Sequence, residues 1–495
     1  MMQPATQGVV MFVMNDLLND PRVQREARSA VRAGFRVTVV AMQSDRCRTR
    51  REMLDGYEVV RVPARRFGFI AMMFRFWGLA SLGWRVLKEG INLGLGLPPG
   101  PEAPGQTHGP ASRLRRFKWA LMCGVGLLLR PVRLFRPILQ KIRLWPRPGV
   151  SLETYCSSLS RKGLRYLSEL GFIGDMLWLS LAMLWAARSA HARVFHGNDL
   201  PTLPVTTWAA RLYGGKALYD SHELWVGMNP EWTVLLNGAS RWVERHYIRQ
   251  MHTVVTVNDL IAEELQRRYR VLLPTVVMNC PEPAASHGIS PVHSIRAQFG
   301  LSTQTPLILY QGRYEPGRGL EELIESGRYL SQGVIVLRGY GSNEPDLRRR
   351  VESLGVPGRV FMVEPVAMAD MVDAAREADV GVVPYTAYSP GYYYASPNKL
   401  FEYMMAGLAI AVSDLPFLEK IVRDQDLGVV FDPRNPRHIA EQLNALVGHP
   451  ARLRACRENA ARAARERFNW DHEGGKLMQL YRDLAAASGQ RIAGH

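Results

Sequence analysis

An alternation of short apolar strands with amphipathic helices is the feature that most constrains the fold. Residues 8–14 form a continuous apolar run of strand length, Asp20-Pro21 begins a predicted helix, and residues 35–41 form the next strand. A helix between two buried strands is typical of a parallel βαβ unit with a right-handed crossover. The chain is therefore predicted to be an α/β protein built on a parallel, doubly wound sheet.

The alternation occurs in two blocks, which predicts two Rossmann-like domains that face a cleft. Strands of the first block are predicted at 57–62, 192–195, 217–219, 253–257 and 275–278. Those of the second block are predicted at 307–310, 334–337, 360–363, 380–383, 409–412 and 428–431. A segment with several Pro residues, 281–304, is predicted to be the linker. We assign domains to 1–285 and 286–468, and expect a helix in 469–495 to return to the first domain. Sites should lie at the carboxyl ends of the strands.

Residues 64–190 interrupt the pattern, and we interpret them as a basic, apolar, helical insertion. Residues 61–170 hold 19 Lys and Arg against four acidic residues, a local charge of +15 in a chain of net charge +17. Within 136–147 the apolar and basic residues fall on different faces of a helix that carries Trp145.

Two interpretations of the insertion stay open. Its helices could bind an anionic membrane surface, to which each basic residue contributes roughly 1 kcal/mol, or they could pack over the sheet and leave the arginines in water. We favour the membrane. Nucleic acid is not expected as a partner because no recognition motif accompanies the charge. Residues 172–187 are apolar but interrupted by Asp175, and no window reaches the ~18–20 uninterrupted apolar residues of a membrane span.

Cysteines and acidic residues give no sign of a metal site. The five cysteines are scattered without a Cys-x-x-Cys, which fits a reducing compartment. Asp424 and Asp426 have a metal-binding spacing, but they lie between a predicted helix and strand and are interpreted as a turn. The first residues lack the features of a signal peptide, so a cytoplasmic protein is expected.

A glycine-containing loop follows the first strand of the second block, in the sequence YQGRYEPGRGLEEL. Gly312 would let the backbone approach a ligand closely, and the helix that follows favours negative charge at its start. Arg313 and Arg318 could then bind a diphosphate as paired donors. An ordinary loop with two solvated arginines is the alternative.

The segment YYYASPNKLFEYMMAGLAIAVSDLPFLEKIV, from Tyr392 to Val422, reads as loop, helix, strand and helix. Lys399 and Glu402 lie at the start of its first helix. A lysine there suits a phosphate, and a carboxylate one turn later can accept two sugar hydroxyls. A surface pair of opposite charges is the alternative.

Polar residues also follow two strands of the first block. His196, Asn198 and Asp199 follow one strand, and His222 and Glu223 follow the next. A His-Glu pair could orient a sugar hydroxyl or stabilise a leaving phosphate. Packed or capping histidines are an equal alternative.

The two motifs of the second block resemble the nucleotide-sugar site of glycosyltransferase family 4, of the GT-B superfamily. Pro397-x-Lys399-x-x-Glu402-Tyr403 with Ala406-Gly407 is similar to a run in that family, and Arg318 stands where its diphosphate loop usually has lysine. The resemblance implies a GT-B fold and a donor site made of Gly312, Arg313, Arg318, Gly339, Lys399 and Glu402.

The resemblance also implies an acceptor side in the first domain. The family's donor-contacting histidine is matched best by His222, with Asn198 as the other candidate, and both are predicted to be catalytic. The loop from Asn15 to Arg22 resembles the family's acceptor-side loop, which implicates Asn15, Asp16, Arg22 and Glu223. Family members commonly carry two glutamates eight residues apart; Glu402 matches the second, but Tyr394 occupies the position of the first.

What the resemblance implies is a retaining glycosyltransferase. It would move a sugar from a UDP- or GDP-linked donor to a lipid-linked or cell-surface glycan acceptor, without cofactor or metal, at the inner face of the plasma membrane. A GT-B enzyme that epimerises nucleotide sugars and a non-catalytic, membrane-associated GT-B scaffold remain the alternatives.

Overall fold

The computed structural model describes residues 7–64, 161–227, 232–283 and 294–489. It divides into two compact units, Met1–Pro63 with Ser180–His495 and Ala64–Leu179. Both sheets and all the site residues discussed below belong to the first unit. The basic helix predicted at 136–147 lies outside the described residues.

The first domain is built on an eight-stranded sheet of order β3-β4-β2-β1-β5-β6-β7-β8. Its strands are β1 Gly8–Phe12, β2 Arg36–Met42, β3 Arg51–Leu54, β4 Tyr57–Val62, β5 Ala192–Asn198, β6 Lys216–Ser221, β7 Thr253–Thr256 and β8 Thr275–Val276. All neighbours are parallel except β3 and β4, which form a hairpin at one edge. The sequence analysis missed β3, although Asp55-Gly56 is a typical hairpin turn and both residues have positive φ angles.

Five helices of this part of the chain are α1 Pro21–Arg32, α2 Arg161–Ala187, α3 Leu203–Tyr213, α4 Val234–Tyr247 and α5 Asp259–Tyr269. The Asp20 side chain accepts a hydrogen bond from the Val23 backbone and so caps α1, as the Asp-Pro signal indicates. Val23, Ala27 and Ala30 are buried along one face of α1, which packs on the sheet.

Helix α2 is longer than the apolar run that the sequence indicates. Residues Ser168–Ala187 form a 20-residue helical stretch long and apolar enough to cross a membrane. Glu169 and Asp175 interrupt this stretch, so it is not an uninterrupted apolar run, but polar positions before Phe172 continue the helix and give it the length of a span. Length and composition are weak evidence for a span, since a core helix can meet the same criteria.

The second domain is built on a six-stranded, fully parallel sheet of order β11-β10-β9-β12-β13-β14. Its strands are β9 Leu307–Arg313, β10 Val334–Tyr340, β11 Val360–Val363, β12 Val380–Val383, β13 Ala409–Ser413 and β14 Gly428–Phe431. Its helices are α6 Ile295–Phe299, α7 Leu320–Ser326, α8 Glu344–Ser353, α9 Met371–Ala375, α10 Pro390–Tyr393, α11 Asn398–Ala406, α12 Pro416–Asp424, α13 Pro436–Val447 and α14 Pro450–Glu466. The predicted α/β fold with two doubly wound sheets is confirmed, although the predicted linker contains α6.

The last helix, α15 Trp470–Gly489, packs against the first domain. The Trp470 indole donates a hydrogen bond to Ser29 Oγ at 2.8 Å, and Tyr481 is fully buried in the cluster that contains Val23. Glu473 accepts a hydrogen bond from the Met278 backbone at 2.8 Å. The chain therefore crosses from the second domain back to the first.

Candidate functional site

The loop after β9 folds tightly because it contains glycines in conformations that other residues rarely adopt. Gly312, Gly317 and Gly319 have φ angles of +137°, +81° and +63°. A Cβ atom on Gly319 would lie 1.8 Å from the carbonyl oxygen of Pro384, beyond the end of β12. The loop is therefore held against the carboxyl ends of the strands, where a doubly wound sheet places its ligands.

Lys399 lies inside this edge of the sheet and not on the surface. Its ammonium is 4.0 Å from the centre of the Tyr310 ring and 3.4 Å from the Tyr385 hydroxyl, and the residue is only 6% exposed. Burial, with the nearby charge of Arg318, lowers the pKa of Lys399 well below its usual range. The alternative of a surface ion pair with Glu402 is therefore wrong.

The two arginines of the loop differ in exposure. The Arg318 guanidinium lies 4.4 Å from the centre of the Tyr385 ring and 5.2 Å from that of Tyr392, and its side chain is 20% exposed. Arg313 is 59% exposed, and its Nε donates a hydrogen bond to Glu315 at 2.6 Å. Arg318 thus faces the interior of the site with Lys399, and Arg313 stands at its edge.

Glu402 and Gly339 border the same region. Burial raises the pKa of Glu402, against the opposing charges of Lys399 and Arg25 of the first domain. Gly339 pairs with Gly312 between β10 and β9, and a Cβ atom on it would lie 1.8 Å from the Gly312 carbonyl oxygen. Gly339 is therefore required by the close approach of two strands, whether or not it contacts a ligand.

On the first domain, His222 is held from both sides of its ring. Nδ1 lies 3.2 Å from Asp199 Oδ2, and Nε2 lies 3.2 Å from Asn198 Oδ1. Burial alone would lower the pKa of His222, but the charges of Asp199 and Asp220 outweigh it and raise that pKa well above its usual range. His222 is thus a partly exposed side chain at the carboxyl end of β6, in surroundings that favour its protonated form.

Asn198 and Arg22 correct the sequence-based assignment. Asn198 is 1% exposed, donates to the Phe12 carbonyl oxygen at 3.2 Å and accepts from His222. Arg22 is 2% exposed and donates to Asp220 at 2.6 Å and to the Val277 carbonyl oxygen at 2.9 Å. Neither side chain reaches the surface of the site, so the predicted catalytic and acceptor-contacting roles become roles in positioning.

Glu223 connects the two halves of the site. Burial and the neighbouring charge of Asp199 raise the pKa of Glu223 to about 7, while the charges of His222 and Arg318 act in the opposite direction. Because His222 belongs to the first domain and Arg318 to the second, the Glu223 carboxyl lies where the two domains face each other. A carboxyl that titrates near neutrality can take or hold a proton during a reaction.

Asn15 and Asp16 shape the loop after β1. Asn15 donates to Asp20 at 2.8 Å and accepts from the Leu17 backbone at 2.8 Å. Asp16 accepts from Ser44 at 2.6 Å. Leu17 has a positive φ angle of 70°, which is unusual for its residue type. These partly exposed polar residues hold the backbone of the predicted acceptor-side loop.

A buried group beneath His222 has the composition of a metal site. The ligand atoms of Glu26, His196 and Asp220 lie within 4.8 Å of one another. The Arg22 guanidinium already lies 3.0 Å from Glu26 and 2.6 Å from Asp220 and supplies positive charge there. Burial lowers the pKa of His196 to about 3, and its Nδ1 contacts the Tyr481 hydroxyl at 2.5 Å. The group is best described as a charge network that supports β5 and β6.

Several residues of the site were not predicted from the sequence. Tyr310, Tyr385 and Tyr392 surround the two cations Arg318 and Lys399. Their signal was weak, because an aromatic residue at a strand end is usually part of the core. Two of them could have been suspected, since Tyr310 ends a predicted strand and Tyr385 follows one.

Tyr394, which occupies the position of the family's first glutamate, belongs to the contact between the domains. Its backbone oxygen accepts a hydrogen bond from Asn258 of the first domain at 2.8 Å. Its ring packs against the apolar cluster that contains Leu224 and Val226. The position therefore serves to join the domains.

Comparison with known proteins finds relatives of the second domain. Residues 292–463 match the model of the family described as glycosyl transferases group 1. A D-inositol 3-phosphate glycosyltransferase from Xylanimonas cellulosilytica is 31% identical over 235 residues, which cover 44% of this chain and 54% of that protein. The chain thus spans about half the length of this relative.

Solved structures share the fold at low sequence identity. Sucrose-phosphate synthase from Thermosynechococcus elongatus has a TM-score of 0.64 and 16% identity, over 97% of this chain and 100% of its own. The HepE protein of Anabaena, in complex with UDP and glucose, has a TM-score of 0.61 and 13% identity over the same shares of the two chains. The chain therefore has the GT-B fold, and its residues 292–463, which make up most of the second domain, match the family described as glycosyl transferases group 1.

Proposed function

We propose that the protein is a retaining glycosyltransferase that uses a nucleotide-diphosphate sugar. The observation that carries the proposal is the arrangement of Arg318 and Lys399 at the strand ends of the second domain, opposite His222 and Glu223 of the first. Two cations held by tyrosine rings suit a diphosphate, and a carboxyl opposite them suits an acceptor hydroxyl.

The cations would serve the leaving group. When the sugar-phosphate bond breaks, negative charge develops on the diphosphate, and positive groups already held in place stabilise it without reorganisation. Arg318 can donate two parallel hydrogen bonds, and Lys399 adds a point charge once the bound anion favours its protonated form. These residues support a reaction without a metal ion. UDP is our first choice of nucleotide because HepE was solved with UDP and glucose.

Glu402 is proposed to bind the ribose. It lies one turn after Lys399 on α11, and a carboxylate can accept hydrogen bonds from two neighbouring hydroxyls. Retention of the anomeric configuration is proposed from the resemblance to family 4. Nuclear magnetic resonance of the purified product distinguishes the two anomers, and an inverted product would refute retention.

For the acceptor we propose a lipid-linked or cell-surface glycan at the inner face of the plasma membrane. The support is the charge of +15 within residues 61–170, which favours an anionic surface. A protein without residues 113–147 should lose its binding to anionic vesicles and keep its affinity for UDP. Unchanged vesicle binding would contradict the membrane proposal.

A sugar phosphate is the second candidate acceptor. The names of the relatives favour it, since the Xylanimonas protein is a D-inositol 3-phosphate glycosyltransferase. Offering UDP-sugars with lipid-linked glycans or with sugar phosphates, and identifying the product by mass spectrometry, separates the two acceptors. An epimerised donor would instead indicate the epimerase alternative.

Calorimetry with UDP and GDP tests the donor site. Arg318→Ala and Glu402→Ala should each weaken binding at least about tenfold, equivalent to 1.4 kcal/mol. Arg437→Ala is a matched control, because the Arg437 guanidinium also lies 4.4 Å from a tyrosine ring, that of Tyr329, outside the site. Failure of the wild type to bind either nucleotide would refute the proposed function and favour a non-catalytic scaffold.

A further inference from the structure

Asp199, the residue after β5, has a backbone conformation that is normally reserved for glycine. Its φ and ψ angles are 64° and 163°. A residue with a side chain is strained in such a conformation, and strained residues of this kind cluster at functional sites. Interactions with neighbouring residues must therefore stabilise this conformation of Asp199.

Backbone hydrogen bonds hold Asp199 in this conformation. Its N–H donates to the Asp220 carbonyl oxygen at 2.9 Å, and its own carbonyl oxygen accepts from the Thr202 N–H at 3.1 Å and the Thr202 hydroxyl at 2.9 Å. The chain is therefore fixed between the ends of β5 and β6, and the carboxylate is directed at the residue that follows β6.

That residue is His222, and both oxygens of the Asp199 carboxylate contact it. Its backbone N–H lies 3.4 Å from Oδ1, and its ring Nδ1 lies 3.2 Å from Oδ2. The second ring nitrogen, Nε2, faces the amide oxygen of Asn198 at 3.2 Å. Both ring nitrogens thus face oxygen acceptors, an arrangement that favours a proton on each of them.

A histidine held in this way has no nitrogen lone pair with which to accept a proton. His222 therefore does not act as a general base. What it offers to a ligand is a fixed positive charge, since its side chain remains 19% exposed. Arg318 approaches the same place from the second domain, as the pKa of Glu223 responds to both charges.

We propose that Asp199 is a positioning residue whose strained backbone holds His222 as a permanent imidazolium, which faces the leaving diphosphate of the donor. The inference rests on the proposed function, because the His222 charge stabilises a leaving diphosphate only if the protein transfers a sugar from a nucleotide-diphosphate donor. It adds Asp199 to the residues of the site and chooses, between the two roles that the sequence left open for His222, the stabilisation of a leaving phosphate.

The charged surroundings of His222 support this assignment. Asp199 and Asp220 lie closest to the ring, at 3.2 Å and 3.6 Å, and outweigh the effect of burial on the pKa of His222. The other titratable and charged groups that act on this cluster are Glu26, Arg22, His196 and Glu223. Because the pKa of His222 is raised, the charge is fully present below pH 6.5 and is lost only as the pH rises through the higher value in the folded protein.

Two substitutions separate the carboxylate from the backbone strain. Asp199→Asn keeps the size of the side chain but removes its charge, and Asp199→Gly removes the side chain and relieves the strain. Asp199→Gly should therefore melt at or above the temperature of the wild type, and both variants should lose roughly 10²-fold in kcat. Asp55→Gly is the control, because Asp55 also has a positive φ angle, 46°, in the β3–β4 turn.

The charge on His222 is measured by nuclear magnetic resonance of the ring Cε1 proton, assigned with His222→Gln. In the wild type its titration should lie well above the ordinary pKa of about 6.5, and in Asp199→Asn it should move down. In Asp199→Asn the His222 charge should be lost as the pH rises, and kcat should fall with it. In His222→Gln, which has no ring to titrate, kcat should not show this fall.

The outcomes distinguish this inference from the proposed function. If wild type binds UDP but Asp199→Asn leaves the His222 titration unchanged, the inference fails and the proposed function stands. If Asp199→Gly keeps full kcat, the residue has only a structural role and the inference is overturned. If wild type binds neither UDP nor GDP, the proposed function itself fails, while the titration still reports whether Asp199 fixes the charge.

Discussion

The ammonium nitrogen of Lys399 lies 3.1 Å from the position that a Cβ atom on Gly312 would occupy. The backbone of the loop after β9 and the side chain at the start of α11 therefore share one small space. Gly312→Ala should displace Lys399 and weaken UDP binding at least about tenfold in calorimetry. Gly355→Ala is the control, because Gly355 also has a positive φ angle, +74°, but open space around it. Equal UDP affinity in the two variants would contradict the prediction that a side chain at position 312 displaces Lys399.

Binding of a diphosphate should be accompanied by uptake of a proton on Lys399. Burial and the charge of Arg318 lower the pKa of Lys399 in the free protein, and a bound anion would raise it again. Calorimetry of UDP binding in buffers of different ionisation enthalpy, between roughly pH 7 and 10, measures this proton. Lys399→Met should abolish it. Identical proton uptake in the variant would show that another group is responsible.

The unusual pKa of Glu223 predicts a pH-dependent stability. In the folded protein Glu223 keeps its proton up to pH about 7, above the ordinary value of 4.5, so the folded state binds more protons between these values. The contribution of Glu223 to the free energy of unfolding is therefore fully present below pH 4.5 and is lost as the pH rises to about 7. Thermal melting across this range should show a smaller decline for Glu223→Gln. A decline as steep as that of the wild type would contradict the assignment.

The buried ion pair of Arg22 and Asp220 should be essential for the first domain. Both side chains are almost inaccessible, so Arg22→Met would leave the carboxylates of Asp220 and Glu26 without their cation. We expect a loss of about 3–5 kcal/mol in the free energy of unfolding, measured in urea. The double variant Arg22→Met with Asp220→Asn should recover part of it. A change below about 1 kcal/mol for the single variant would argue against the pair.

Restoring the family's first glutamate should not create a better donor site. The Tyr394 ring packs on the cluster of Leu224 and Val226, so Tyr394→Glu would place a carboxylate against apolar side chains of the other domain. We expect a lower melting temperature and no gain in kcat. Tyr394→Phe serves as the control and should keep both. Increased kcat in Tyr394→Glu would instead mean that position 394 can reach the donor.

The sequence was most informative where a residue's role depends on its own segment. The six strands of the second domain follow from apolar runs bounded by glycine and charge, and Lys399 follows from the helix that begins at Asn398. Because the strand ends of a parallel sheet meet at one edge, the pattern of strands alone is enough to group the polar residues at 196–199 with those at 222–223.

The sequence was uninformative where a role depends on contacts between distant segments. Nothing in the neighbourhood of Arg22 indicates that its partner is Asp220, 198 residues away, or that both are buried. The strain at Asp199 is equally invisible, since Asp after a strand normally indicates an ordinary turn. The tyrosines around Arg318 and Lys399 come from three separate segments and are indistinguishable by pattern from core residues.

The return of the last helix to the first domain has a mechanical consequence. The chain passes between the domains twice. The backbone N–H of Trp470, on the returning segment, donates a hydrogen bond to the carbonyl oxygen of Pro281, on the outgoing segment, at 2.9 Å. Two connecting segments that are hydrogen-bonded to each other restrict the movement of the domains more than a single connecting segment would. Separating the two domains at this point would therefore have to break the Trp470–Pro281 hydrogen bond as well as bend both segments.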